Sequence, residues 1–144
     1  MRKLLLLSVG LVVLLIEASL PAQDASFKVV VNNANPVSAI SKDDLSKLFL
    51  KKSTTWQNGH EVVPVDQPER SPVRENFSRQ VHERPVAAIK SYWQQQVFSG
   101  RATPPATKSS DGELLGFVQQ NPDAIGYVSA NSAISGVKVV NVTQ

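Results

Sequence analysis

The chain has no cysteine, which excludes disulfides, thiolate chemistry and the cysteine-linked lipid anchor of bacterial lipoproteins. Histidine is almost as scarce. His60 falls in a turn and His82 near a helix end, and neither has a second histidine or a close pair of acids at metal-ligand spacing, so no metal or other cofactor is expected. Glycine-rich signatures are missing too: there is no Gly-x-Ser-x-Gly elbow, no Walker loop and no dinucleotide-binding pattern. Ser135-Gly136-Val137-Lys138 matches Ser-x-x-Lys, but it starts at a turn and enters a strand, whereas the acyl-enzyme motif needs a helix. The formal charge of +3 comes without any basic run, and part of it lies at the extreme N-terminus. Nucleic acid is therefore not an expected partner.

Long apolar runs are confined to Leu4 to Ile16, which falls short of the roughly 20 residues that cross a bilayer as a helix. Met1-Arg2-Lys3 precedes this run, and small and polar residues from Ala18 to Ser26 follow it. That arrangement is expected of a secretory signal peptide over residues 1–22, cut after Ala22 or Ala25. The expected product is a soluble periplasmic protein with no stable membrane insertion after leader cleavage. What remains is the size of one domain with one core.

Along that domain, Phe27 to Val31 reads as a strand and Asn32 to Pro36 as a loop. Ser41-Lys42-Asp43-Asp44 is a capping box opening a helix to about Lys51, with Leu45, Leu48 and Phe49 on one face. Asp43 and Asp44 are explained by that helix start and not by acid-base chemistry. Asn58-Gly59 leads into a strand from Glu61 to Val65. Helices are predicted from Pro72 to Glu83, from Pro85 to Phe98, and from a second capping box at Ser110-Asp111-Gly112-Glu113 up to Asn121-Pro122. Ala124 to Val128 and Val137 to Val142 are β-rich. Strands and helices in this order favour one α/β domain. Trp56, Tyr92, Trp93 and Tyr127 are spaced for core or rim packing.

The segment from Val62 to Phe77 carries the chemistry most open to a ligand. Ser71 is suited to cap a helix, Pro72 fits its first position because it has no N–H, and the amides that follow sit at the positive end of the dipole. Arg74 adds a fixed charge and a planar donor fork. Alternatively, Ser71 only caps, and Arg74 pairs with a carboxylate or lies in solvent. A second polar turn, Ser109-Ser110, has Lys108 beside it. Convergence of these two helix starts would form an oxyanion cleft.

Three stretches resemble the phosphate-type substrate-binding proteins of ABC transporters, specifically the short single-lobe members. They are Ile40 to Lys52 followed by Trp56, then Val62 to Phe77, and finally Gly112 to Val118 with Asn121-Pro122-Asp123-Ala124-Ile125-Gly126-Tyr127-Val128. The resemblance spans nearly all of 26–144 and implies one lobe of a type II periplasmic-binding-protein-like fold, an α/β domain with a mixed sheet flanked by helices. It implies a non-enzymatic module that binds phosphate or a related oxyanion, with a membrane transporter or sensor subunit as a further partner. The alternative is an envelope interaction or sensor-partner protein that reuses the fold without a ligand. The family's anion loop runs arginine, acid, then Ser-Gly-Thr; here those positions are Gln67, Glu69, Ser71, Pro72 and Val73. Proline removes a backbone donor and valine a side-chain donor, so weak or partner-dependent binding is implied. The candidate contact set is Ser71, Arg74, Glu69, Gln67, Arg70, Ser109 and Ser110.

Overall fold

Alternation along the first strand decides the layering, because successive side chains of a strand point to opposite faces. A computed structural model describes residues 26–144, and the expected signal peptide lies outside the described residues. In β1 (Phe27–Asn32), Val29 and Val31 join a cluster with Leu45, Phe49, Phe77, Ile125 and Tyr127, while Val30 joins Val65, Leu114, Val118 and Val128 on the other face. The first face is covered by α1 (Lys42–Phe49) and α2 (Pro72–Phe77), and the second by α4 (Asp111–Gln120).

The remaining strands are β2 (Ala39–Ser41), β3 (Val63–Asp66), β4 (Ala106–Thr107), β5 (Ala124–Ser129) and β6 (Val137–Thr143), in the order β2-β6-β1-β5-β3-β4. β1 runs antiparallel to β5 and β6, and the other three pairings are parallel. This is the mixed sheet flanked by helices expected of the α/β reading. β2 and β4 leave no mark in the sequence, since strands of two or three residues are too short to show alternation. Pro64 sits in β3 just before the two residues that pair with β4, where the strand has a single neighbour and a missing N–H is tolerated.

Local chemistry sets the helix starts. Ser41 Oγ accepts the Asp44 amide at 3.1 Å, and Ser110 Oγ accepts the Glu113 amide at 3.2 Å. The Glu113 carboxylate reaches back to accept the Ser109 amide at 3.1 Å, one residue before the cap. The helix predicted from Pro72 to Glu83 is divided: α2 ends at Phe77, and a π-helical turn, Ser78–His82, follows. Buried Ser78 ties that wider turn by donating its hydroxyl to the Arg84 carbonyl at 2.7 Å, and Glu83 ends it in the left-handed region at φ 56°.

The remaining α-helix, α3 (Val86–Phe98), packs through a separate small cluster of Leu50, Ile89 and Trp93. Its last turn is uncovered, with Val97 53% and Phe98 95% exposed.

Candidate functional site

Because Val65 turns to the α4 face, Asp66 turns to the α2 face and meets Tyr127. The Tyr127 hydroxyl donates to Asp66 Oδ1, and the Gln67 amide donates to the same oxygen at 3.0 Å. Arg74 reaches from α2 to place Nη2 3.5 Å from Asp66 Oδ2, and its Nη1 donates to the Gln67 carbonyl at 2.7 Å. The Asp66 and Arg74 side chains are only 10% and 11% exposed. Burial pushes the Asp66 carboxyl above its ordinary pKa, against the opposing pull of Arg74, Tyr127 and the Gln67 amide. Burial and the neighbouring Asp66 carboxylate push the Tyr127 phenol well above its own. Phe77 seals the group, stacking on Tyr127 at 3.8 Å with the rings 3° apart, a contact of about 0.5–1.5 kcal/mol beyond its buried area.

Gln67 connects this group to α4. Its Oε1 accepts from Ser71 Oγ at 3.2 Å, and its Nε2 donates to the Tyr127 carbonyl at 3.0 Å and to Asp111 Oδ1 at 2.8 Å. Ser71 Oγ also accepts the Arg74 amide at 3.3 Å. Asp111 Oδ2 accepts the Ser129 amide at 3.2 Å. The starts of α2 and α4 therefore converge, and a carboxylate of the chain itself stands between them. Burial works against the Asp111 charge, but the hydrogen bonds from Gln67 and Ser129 outweigh it and hold the carboxyl below its ordinary range.

Of the residues singled out by sequence, Gln67, Ser71 and Arg74 come together in this network. Glu69 stands outside it, paired with Lys90 at 3.3 Å, with both side chains half-exposed. Arg70 is exposed, and so are Ser109 and Ser110, which spend themselves on starting α4. Val73, at the position the resemblance assigns to a threonine, packs into the main core. Sequence reasoning missed Asp66, Asp111 and the polar role of Tyr127. One signal was present: Asp66 ends the apolar run Val62 to Val65, and a carboxylate at the end of a buried strand needs a partner.

Beside the network lies a cleft of about 570 Å³. Its lining combines Asp66, Arg74, Glu69 and Lys90 with the apolar Trp93, Val97, Phe98, Pro104 and Pro105. A second cleft, of about 480 Å³, lies around Trp56, Asn35, Ser41 and Asp44. A serine and a histidine also meet, Ser46 Oγ lying 2.7 Å from His82 Nδ1. Burial, reinforced by Arg74, Arg84 and Lys52, lowers that imidazole to about 4. It is too weak a base at neutral pH to activate the hydroxyl.

A comparison with curated protein sequences found no match. Among solved structures, the fold is similar to an ABC-type phosphate transport receptor from Vibrio cholerae, with TM-score 0.65 and 19% identity over 81% of this chain and 45% of that one. It is similar to a protein from Clostridium perfringens solved with bound phosphate, with TM-score 0.64 and 21% identity over 81% of this chain and 44% of the other. It is also similar to PstS from Borrelia burgdorferi, with TM-score 0.61 and 13% identity over 82% of this chain and 47% of that one. The chain thus spans about half the length of the structures it matches. The model of the PBP superfamily domain matches residues 21–143, and the chain belongs to that family.

Proposed function

We propose that this chain is an exported, non-enzymatic solute-binding module of the phosphate-receptor type, which holds a small oxyanion weakly at the mouth between α2 and α4. The observation that carries this reading is the convergence of two helix starts through Gln67, with Arg74 beside them. Ser71, Arg74 and the neighbouring amides form the contact set, with Gln67, Glu69, Arg70, Ser109 and Ser110 around it. Binding is weak because much of the donor capacity is already spent: Arg74 is engaged by Asp66, and Gln67 by Asp111 and Tyr127. A second surface, from a membrane transporter or sensor subunit, would complete the cleft and dehydrate the ion. The periplasmic location rests on the leader-like N-terminus.

The test is thermal unfolding and calorimetric titration of the exported protein with phosphate and sulfate, against sodium chloride at matched ionic strength. A site with a dissociation constant of about 1 mM gains about 1.8 kcal/mol at roughly 20 mM ligand, enough to raise the melting temperature by several degrees. No heat and no shift with any anion would overturn the reading. That outcome would favour an envelope interaction or sensor-partner protein that keeps the fold without a ligand, a reading supported by the internal satisfaction of Gln67 and Arg74.

A further inference from the structure

The cleft next to α3 carries two carboxylates, Asp66 and Glu69, and two cations, Arg74 and Lys90, so its charges cancel. A bare inorganic anion entering it meets repulsion from the first two along with attraction to the second two. Most of the remaining wall is apolar, and Phe98 stands at it almost wholly uncovered. A volume of about 570 Å³ lies within the usual range for small-molecule pockets, about 300–1,000 Å³. The Glu69–Lys90 pair is half-exposed and cheap to open, because such surface pairs contribute little. Each partner can then turn to a ligand group of opposite charge.

We propose that this cleft takes an amphipathic zwitterion of amino-acid size. Its carboxylate lies against Arg74 and Lys90, its ammonium against Glu69, and its apolar side chain along Trp93, Val97 and Phe98. Such a ligand adds no net charge to a cleft that has none, and it covers the uncovered end of α3. The cleft shares Arg74 with the proposed oxyanion mouth, but neither Ser71 nor Gln67 lines it, so the inference goes beyond that reading and names a second ligand.

The experiment is calorimetric titration of the exported protein with L-phenylalanine, with phenylpropionate (which lacks the ammonium), with phenethylamine (which lacks the carboxylate), and with inorganic phosphate. Phenylalanine is expected to bind about tenfold more tightly than either singly charged analogue. Glu69→Gln, at a half-exposed position, is expected to weaken phenylalanine about tenfold and to tighten phenylpropionate, a change of opposite sign that general loss of structure cannot produce. Phe98→Ser is expected to weaken phenylalanine several-fold while leaving phosphate unchanged. Equal affinity for phenylalanine and phenylpropionate, or a Glu69→Gln effect in the same direction on both, overturns the inference. Phosphate binding without phenylalanine binding sinks the inference and leaves the oxyanion reading standing. Silence with all four probes sinks both.

Discussion

Around Gln67 the polar groups satisfy one another, with Asp66, Arg74, Tyr127, Ser71 and Asp111 each bonded inside the network. Along α3 the arrangement is the reverse: Val97 and Phe98 meet solvent, and Lys90 pairs with half-exposed Glu69. The same short segment, Asp66 to Arg74, borders both regions. Donors at a helix start are thus not by themselves a vacancy for an anion. Here Ser71, Ser110 and Glu113 take helix-start amides and Asp66 engages Arg74, and the more accommodating surface is the one whose groups are loosely committed.

The comparison breaks if the network proves dispensable to the fold. Asp66→Ala leaves the Arg74 guanidinium buried without its carboxylate, and the expected loss is about 3–5 kcal/mol in urea unfolding. A loss below about 1 kcal/mol would show that the network is ornamental to stability. Acid sharpens the same point through His82, which lies beside Phe77 on the network side. Its folded pKa is depressed from 6.5 to about 4, so its contribution is complete above pH 6.5 and disappears as pH falls towards 4. The expected loss is about 3 kcal/mol across that window. Asp66 works in the opposite sense, since a carboxyl whose pKa is raised in the folded state is more easily protonated there. Replacing His82 with Phe should therefore flatten the decline measured by unfolding at stepped pH, whereas a retained slope would assign it elsewhere.

Gln67→Ala comes next. It strands the Ser71 hydroxyl and removes two donors from Asp111 and the Tyr127 carbonyl, with an expected cost of about 1–3 kcal/mol by chemical denaturation. The smallest effect belongs to the other region. Phe98→Ser should change stability by no more than about 0.5 kcal/mol, and a larger loss would mean that α3 is as firmly integrated as the network.

Much of this fold was legible because its strands and helices announce themselves by period and cap. Val29 to Val31, the Ser41 and Ser110 boxes, and Ala124 to Val128 are examples. β2 and β4 were not legible, since they exist only through their neighbours β6 and β3. The break of the Pro72 helix at Ser78 depends on a contact with Arg84 that local propensity does not encode. At the site, Ser71 and Arg74 could be picked out from local chemistry, but their partners could not. Asp66 and Tyr127 are brought together by strand order, and Gln67 and Asp111 by the packing of α4 on the sheet. Such pairings across 61 and 44 residues belong to topology and not to spacing.

Gly126 shows how little material controls that topology. A Cβ built there would come within 2.7 Å of the fully buried Leu114 side chain on α4, so the helix rests on the strand with no room for even one methyl group. Leu114 lies three residues after Asp111 on the same rigid helix. A larger residue at this point would have to displace the Leu114 side chain or α4 itself, and a displacement of α4 would move Asp111 relative to Gln67 and Ser129. A residue with no side chain thus helps to set the seat of a network made of other residues' side chains and backbone groups.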